Sequence, residues 1–186
     1  MKIPAQAKKA FQGEFFSVWQ WEQKMYDGSV KIFERVKRPD TVVVIPVVGD
    51  KIWINLQEQP DRGEPFLSYF GGQIDPGEEP LPAARRELLE EAGLVSDDWD
   101  HYKSYEPTVK VDWTIHYYIA RDCRKVAEQS LDNGEKIEIK PVSFLEFFDF
   151  AASRYGTSGA FGLDLLKMKL DGKLAEFKKK LWPQAT

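Results

Sequence analysis

Residues 72–94 read GQIDPGEEPLPAARRELLEEAGL, and this stretch is the most informative part of the sequence. The tripeptide DPG at 75–77 predicts a tight turn, because proline presets φ near −65° and glycine tolerates a positive φ. Pro80 and Pro82 suit the first turn of a helix, and Gly93 suits its left-handed end. The stretch therefore predicts a loop that leads into a helix of about three turns.

Small and aliphatic residues recur along this helix at spacings of three and four. They are Leu81, Ala84, Leu88 and Ala92. Such a stripe would pack on a sheet. Beside it stand Glu87, Glu90 and Glu91, which repel one another at these spacings and lie where the helix dipole disfavours anions. Three acids held in this place indicate a bound cation, although ELLEE by itself is more typical of a solvated helix face.

The chemistry of the ligands predicts which cation they would bind. Carboxylate oxygens suit hard ions, so Mg²⁺ is the first candidate and Mn²⁺ can substitute for it. Arg86 lies four residues before Glu90 and can hold a carboxylate in position from the side.

The spacing of these residues resembles the Nudix box. That pattern runs Gly, five residues, Glu, seven residues, Arg-Glu, an aliphatic, any residue, Glu-Glu, any residue, Gly and an aliphatic. Every position is matched, by Gly72, Glu78, Arg86, Glu87, Leu88, Glu90, Glu91, Gly93 and Leu94.

The resemblance implies an α/β (α+β) fold, the Nudix α/β/α sandwich with a mixed sheet, here with an N-terminal antiparallel β extension. It also implies that Glu87, Glu90, Glu91 and the carbonyl of Gly72 bind the metal, while Arg86 and Glu78 shape the site. The expected reaction is attack of water on the diphosphate of a nucleoside diphosphate derivative, giving two phosphorylated products without a covalent protein intermediate.

Within the family, the region before the box looks most like the ADP-ribose and nucleotide-sugar pyrophosphatase branch. The segments concerned are FERVKRPD at 33–40, TVVVIPV at 41–47 and QEQP at 57–60. On this basis Trp19, Arg38 and Glu58 are the candidate substrate-binding residues. Typical members are richer in arginine where QEQP stands here, and their proline lies farther past the box than Pro107.

Two other functions compete with this interpretation. One is a pyrophosphatase for nucleoside triphosphates or dinucleotides, against which the hairpin before Thr41 argues. The other is a non-catalytic Nudix-fold binding module, against which the intact box argues.

The general base has two candidates. Members of this branch often use a glutamate on a flexible loop after the box, and Glu135 beside Gly134 is the best match. Glu91 on the box helix is the competing base, and a solvated loop glutamate is the alternative interpretation of Glu135.

Alternating apolar residues predict the strands. The predicted strands cover 15–26, 31–36, 41–48, 51–58, 109–119 and 137–139, with turns at Asp27-Gly28 and Gly49-Asp50. Residues 15–26 place aromatic groups on both faces, so this strand must be covered by the core or by another subunit.

The sequence of the last third of the chain predicts helices. Ser143 with Glu146 forms a capping box for the first. A second carries Leu163, Leu166 and Leu170 on one face and ends at the Asp171-Gly172 turn, and a final segment carries Leu174, Phe177 and Leu181.

Composition limits the remaining possibilities. The 186 residues predict a single Nudix hydrolase domain, with 1–40 as the strand extension and 41–186 as the catalytic core. A net charge of −4 without a basic stripe argues against a nucleic-acid partner. Cys123 is the single cysteine, which excludes an intrachain disulfide. With no apolar run long enough for a membrane span, we expect a cytoplasmic protein, and the aromatic strand around Trp19 favours a homodimer.

Overall fold

The computed structural model describes residues 2–153 and 160–184. The strands are β1 (Lys8–Gln12), β2 (Ser17–Lys24), β3 (Val30–Lys37), β4 (Thr41–Val48), β5 (Lys51–Glu58), β6 (Phe66–Ser68), β7 (Leu94–Val95), β8 (Asp98–Tyr105), β9 (Val111–Asp112), β10 (Ile115–Arg121), β11 (Arg124–Lys125) and β12 (Lys136–Val142). The helices are α1 (Pro80–Ala92), α2 (Phe144–Ala152), α3 (Ala160–Leu170) and α4 (Leu174–Leu181).

A mixed sheet in the order β12-β5-β4-β10-β8 forms the centre, with β6 paired to β5. Its β4 and β10 run parallel, and the other neighbours run antiparallel. Seven of the eight residues of β4 are buried. A continuous β-branched run suits a strand covered on both faces, so the predicted buried strand is confirmed.

Helices cover both faces of this sheet. Along β4 the side chains of Val42 and Val44 join the cluster that contains α1, whereas Val43 and Ile45 join the cluster that contains α2, α3 and α4. This alternation follows from the two-residue period of a strand. The resulting α/β/α layers confirm the predicted fold, and the predicted stripe on α1 packs on the sheet as expected.

The N-terminal strands form a separate sheet in the order β1-β2-β3-β9. Residues 15–26 were predicted as one strand, but β2 is shorter and begins at Ser17. The exposed strand β1 and the polar edge strand β8 were not predicted, since KKAFQ and DWDHYKSY lack a clear apolar alternation and β8 also carries a bulge.

The predicted continuous strand over 109–119 is wrong in its first half. Val109 is exposed, β9 pairs with β3, and only β10 belongs to the central sheet. Trp113 and Thr114 separate the two strands, and Asp40 Oδ1 accepts a 2.7 Å hydrogen bond from the Thr114 N–H. The chain therefore changes sheets at a point that this carboxylate holds in place.

The C-terminal helices differ from expectation in one detail. The capping box of Ser143 and Glu146 is present. On α3, however, Leu163 and Leu170 of the predicted leucine face are exposed, and Phe161 and Leu165 are buried instead. No helix in the described part of the chain is both long and apolar enough to span a lipid bilayer.

Candidate active site

A cavity of about 800 Å³ opens beside the N-terminal half of β4 and reaches the charged face of α1. The side chains that bear on its chemistry are Phe15, Arg38, Gln57, Arg62, Phe66, Asp75, Arg86, Glu87, Glu90, Glu91, Trp113, Asp132 and Glu135. They come from six separate parts of the chain, so folding assembles this cavity from segments that are distant in sequence.

The loop and helix of the box form as predicted. Glu78 N–H donates to the Asp75 carbonyl at 3.0 Å and closes the turn, in which Gly77 has a φ of 86°. Helix α1 runs from Pro80 to Ala92 and is followed by the cap residue Gly93, whose φ of 66° is left-handed. This geometry points the carboxylates of the last turns into the cavity.

Two glycines bring the backbone close to these acids. Gly71 has a φ of 134°, and a β-carbon there would overlap the Val42 carbonyl. A β-carbon on Gly72 would overlap the carboxylate of Glu87. The Gly72 carbonyl accepts a hydrogen bond from the Val42 N–H at 2.9 Å and keeps a second lone pair, and Gly72 lines the cavity.

Arg86 is the cation that these acids share. Its guanidinium lies 3.0 Å from Glu78, 2.8 Å from Glu87 and 3.2 Å from Glu90, and it also donates to the Gln73 carbonyl at 3.0 Å. The hydrogen bond with Arg86 lowers the pKa of the Glu78 carboxyl. One positive charge therefore holds three carboxylates in place.

Glu91 is buried next to this group, with 4% of its surface exposed. Its carboxylate accepts a 2.7 Å hydrogen bond from the Gly71 N–H. Burial raises the pKa of Glu91 well above its usual value, and the charges of Glu87, Glu135 and Glu90 raise it further. For Glu87, burial also raises the pKa, although Arg86 opposes the shift.

A hard divalent cation fits this donor set. The side chains of Glu87, Glu90 and Glu91, which we call the carboxylate wall, offer only oxygen ligands, and their mutual repulsion favours a cation. Within residues 2–153 and 160–184, no three His, Cys, Asp or Glu side chains stand close enough to hold a metal ion as they are arranged. Glu87 and Glu90 are turned to Arg86, so a metal would have to share them with that guanidinium.

Glu135 lies in the same cavity as the carboxylate wall. Its N–H donates to the Asp132 carbonyl at 2.9 Å, which folds the loop back, and burial raises the pKa of its carboxyl. The neighbouring glutamate on β12, Glu138, is paired with Lys140 and does not line the cavity. The structure therefore brings Glu135 together with the predicted metal ligands.

The three predicted substrate-binding residues do not lie together in the structure. Arg38 lines the cavity, with its guanidinium 4.5 Å from the ring centre of Phe15 and 4.2 Å from that of Trp113. Glu58 pairs with Lys136 outside the cavity, because Gln57 takes the inward-facing position of β5. Trp19 does not line the cavity of its own chain and lies against Lys9.

Sequence reasoning missed several residues of the cavity. Phe15, Trp113, Arg62 and Phe66 were not singled out, and Arg62 stacks on Phe66 at 3.7 Å. Gln57 carried a usable signal, since amides at Asn55 and Gln57, two residues apart, fall on the same face of the predicted strand 51–58. No local pattern pointed to Phe15 or Trp113.

The geometry of the box segment and its cavity agrees with the comparison with known families. The sequence model of the NUDIX domain matches residues 37–158. The chain belongs to the Nudix family. It is a Nudix hydrolase, and the resemblance predicted from the box is confirmed.

Two known proteins are similar in sequence to this Nudix hydrolase. The ADP-ribose pyrophosphatase of Bacillus subtilis (strain 168) is 25% identical over 167 residues, which cover 87% of this chain and 90% of that protein. The ADP compounds hydrolase NudE of Escherichia coli (strain K12) is 31% identical over 90 residues, covering 47% of this chain and 48% of that protein.

The fold is also found among solved structures. A crystal structure of an ADP compounds hydrolase superposes with a TM-score of 0.71 and 21% sequence identity, covering 91% of this chain and 95% of that one. At this identity the likeness concerns the fold.

The buried Glu91 predicts how stability depends on pH. Its folded-state pKa lies above the ordinary value of 4.5, so its contribution to stability is complete below that value and is lost as the pH rises through the folded-state pKa. We expect Glu91→Gln, which does not titrate, to be more stable than wild type at neutral pH in a chelator, with the advantage vanishing at low pH.

Urea unfolding at a series of pH values measures this difference. Glu128→Gln is the matched control, because the side chain of Glu128 is 95% exposed. Equal stability of wild type and Glu91→Gln at every pH would show that the Glu91 carboxylate is not held in an unfavourable charged state.

Proposed function

We propose that this Nudix hydrolase cleaves the diphosphate of a nucleoside diphosphate derivative, with ADP-ribose or a nucleotide sugar as the substrate class. The observation that carries the proposal is the cavity in which the carboxylate wall, Glu135 and the guanidinium groups of Arg38 and Arg62 meet. The names of the two relatives, ADP-ribose pyrophosphatase and ADP compounds hydrolase, support the same class.

The charge of the cavity supports a divalent cation as cofactor. A diphosphate is an anion, and the carboxylate wall would repel it. We propose Mg²⁺, with Mn²⁺ as a substitute, held by Glu87, Glu90, Glu91 and the Gly72 carbonyl. When bound, the cation neutralises phosphate charge and lowers the pKa of water. Arg86 pairs with Glu87 and Glu90 and would share them with the cation.

Glu135 is proposed as the general base. Its carboxyl is half-buried and lies on a loop, so it can approach the water that attacks phosphorus and accept the proton. Glu91 is less suited to this role, since its carboxylate is buried and accepts the Gly71 N–H. Its place is that of a ligand held by the backbone.

Arg38 is proposed to bind the substrate. Phe15 and Trp113 hold its guanidinium between two rings, and its Nε is buried without a hydrogen-bond partner among the described residues. Burial also lowers the pKa of Arg38. A fixed guanidinium of this kind matches a phosphate or a polar sugar edge.

Two other substrate contacts remain predictions. Contact of Trp19 with a nucleobase would require a cavity other than the one in its own chain. Contact of Glu58 would require its ion pair with Lys136 to open.

A panel of candidate substrates tests the proposed function. With Mg²⁺, we expect ADP-ribose or a nucleotide sugar to give two phosphatase-sensitive products faster than NADH, dinucleoside polyphosphates or nucleoside triphosphates. The Glu90→Gln enzyme supplies the background, since loss of a charged oxygen ligand should cost roughly 10²-fold in turnover. Hydrolysis confined to nucleoside triphosphates would contradict the proposed class.

The role of Glu135 is tested by separating turnover from metal dependence. We expect Glu135→Gln to lower kcat by roughly 10²-fold while KM and the Mg²⁺ concentration for half-maximal rate stay close to wild type. Glu91→Gln should instead raise the Mg²⁺ requirement. Glu138→Gln is the matched control, because that glutamate lies three residues away and outside the cavity. An unchanged kcat in Glu135→Gln would assign the base elsewhere.

We also propose that the chain forms a homodimer through its N-terminal sheet. Phe11, Val30 and Ile32 are each more than half exposed on this sheet, and isologous dimers are the commonest soluble oligomers. Light scattering at micromolar concentration should give the dimer mass for wild type and the monomer mass for Ile32→Glu. Leu170→Glu on α3 is the control and should remain dimeric, whereas a monomeric wild type would refute the proposal.

A further inference from the structure

The segment that precedes Glu135 docks on the C-terminal end of α1. The Gly93 carbonyl accepts the N–H groups of Val126 and Ala127 at 2.9 and 3.3 Å, and the Glu90 carbonyl accepts the Ser130 N–H at 2.8 Å. These are carbonyl groups that a helix leaves without a partner at its end. The helix that carries the carboxylate wall is thus capped by the segment that leads to Glu135.

Gln129 adds side-chain hydrogen bonds to this docking. Its amide Nε2 donates to the Glu91 carbonyl at 2.7 Å and to the Ile137 carbonyl at 3.3 Å. The first acceptor lies in the last turn of α1, and the second lies near the start of β12. A single amide therefore joins the two ends of the segment 130–136, which we call the Glu135 loop.

We propose that Gln129 is a positioning residue that holds the Glu135 loop over the carboxylate wall. The inference rests on the proposed function in one respect, namely the role of Glu135 as the base. A structural effect is expected whatever the role of Glu135. Without the amide, the loop keeps its backbone hydrogen bond to Glu90 but loses the hydrogen bond to Ile137 in β12. Glu135 would then sample positions away from the wall, and catalytic groups displaced by about 1 Å can cost up to 10²-fold in rate.

Two substitutions at this position separate the hydrogen bonds from the bulk of the side chain. Gln129→Leu keeps the size and removes both donated bonds. Gln129→Lys keeps N–H donors on a long side chain, next to carbonyls that favour a cation. Glu128→Leu is the matched control, since it introduces the same residue at the adjacent position, where the side chain is 95% exposed.

Backbone hydrogen exchange gives a readout that does not depend on activity. In Gln129→Leu we expect the amides of 130–135 to exchange at least roughly tenfold faster, with α1 and β12 unchanged. Gln129→Lys and Glu128→Leu should exchange like wild type. Unchanged exchange in Gln129→Leu would overturn the proposal, whatever the role of Glu135. If Gln129→Leu fails to fold, Gln129→Glu, which cannot donate when ionised, takes its place in the same comparison.

A double-mutant cycle gives the kinetic test. We expect Gln129→Leu to lower kcat by roughly 10- to 10²-fold with little change in KM, and Gln129→Lys to restore most of it. The double variant Gln129→Leu/Glu135→Gln should have a kcat no more than about twofold below that of Glu135→Gln alone. Additive losses in the double variant would refute the positioning role of Gln129 and leave Glu135 as the base. A wild-type kcat in Glu135→Gln would refute Glu135 as the base, and the hydrogen-exchange result would then decide whether Gln129 positions the loop.

Discussion

A carboxylate is buried where α1 meets the central sheet, and the N–H of Gly71 is its hydrogen-bond donor at 2.7 Å. The chain can make this contact because Gly71 has a conformation in which a side chain would overlap the backbone of β4. Through this bond the depth of Glu91 is fixed relative to β4. Because Glu87 and Glu90 lie on the same rigid helix, their positions follow from it, and so does the place where the Glu135 segment can dock.

The negative charges of the active site are concentrated where they are energetically unfavourable. Four glutamates, Glu87, Glu90, Glu91 and Glu135, approach one another in a partly buried cavity, and Arg86 contacts two of them. Two hydrophobic layers, one on each face of the sheet, hold the elements that carry these charges. Such a group is costly without a ligand, and the proposed cation would offset that cost, which is the compromise between stability and activity that enzyme sites commonly show.

Local patterns in the sequence were sufficient for the elements that carry the proposed chemistry. The run at β4, the turn before α1, Gly93 after it and the capping box of α2 each depend on neighbouring residues, and each is found as predicted. The polar edge strand β8 and the break at Trp113 depend on tertiary contacts, such as the bond from Thr114 to Asp40, 74 positions away. For the same reason the substrate side of the cavity was only partly predicted, since Arg38 was identified without Phe15 and Trp113, the rings that hold it.

The change of sheet between β9 and β10 has a consequence for shortened forms of this chain. A chain beginning at Thr41 would keep both hydrophobic layers and the whole of the box segment. It would also lose β3, the partner of β9, together with Arg38 and Phe15 from around Trp113. The first forty residues therefore form one side of the cavity, through Phe15 and Arg38, as well as an extension of the fold, and a truncation at that boundary would open that side.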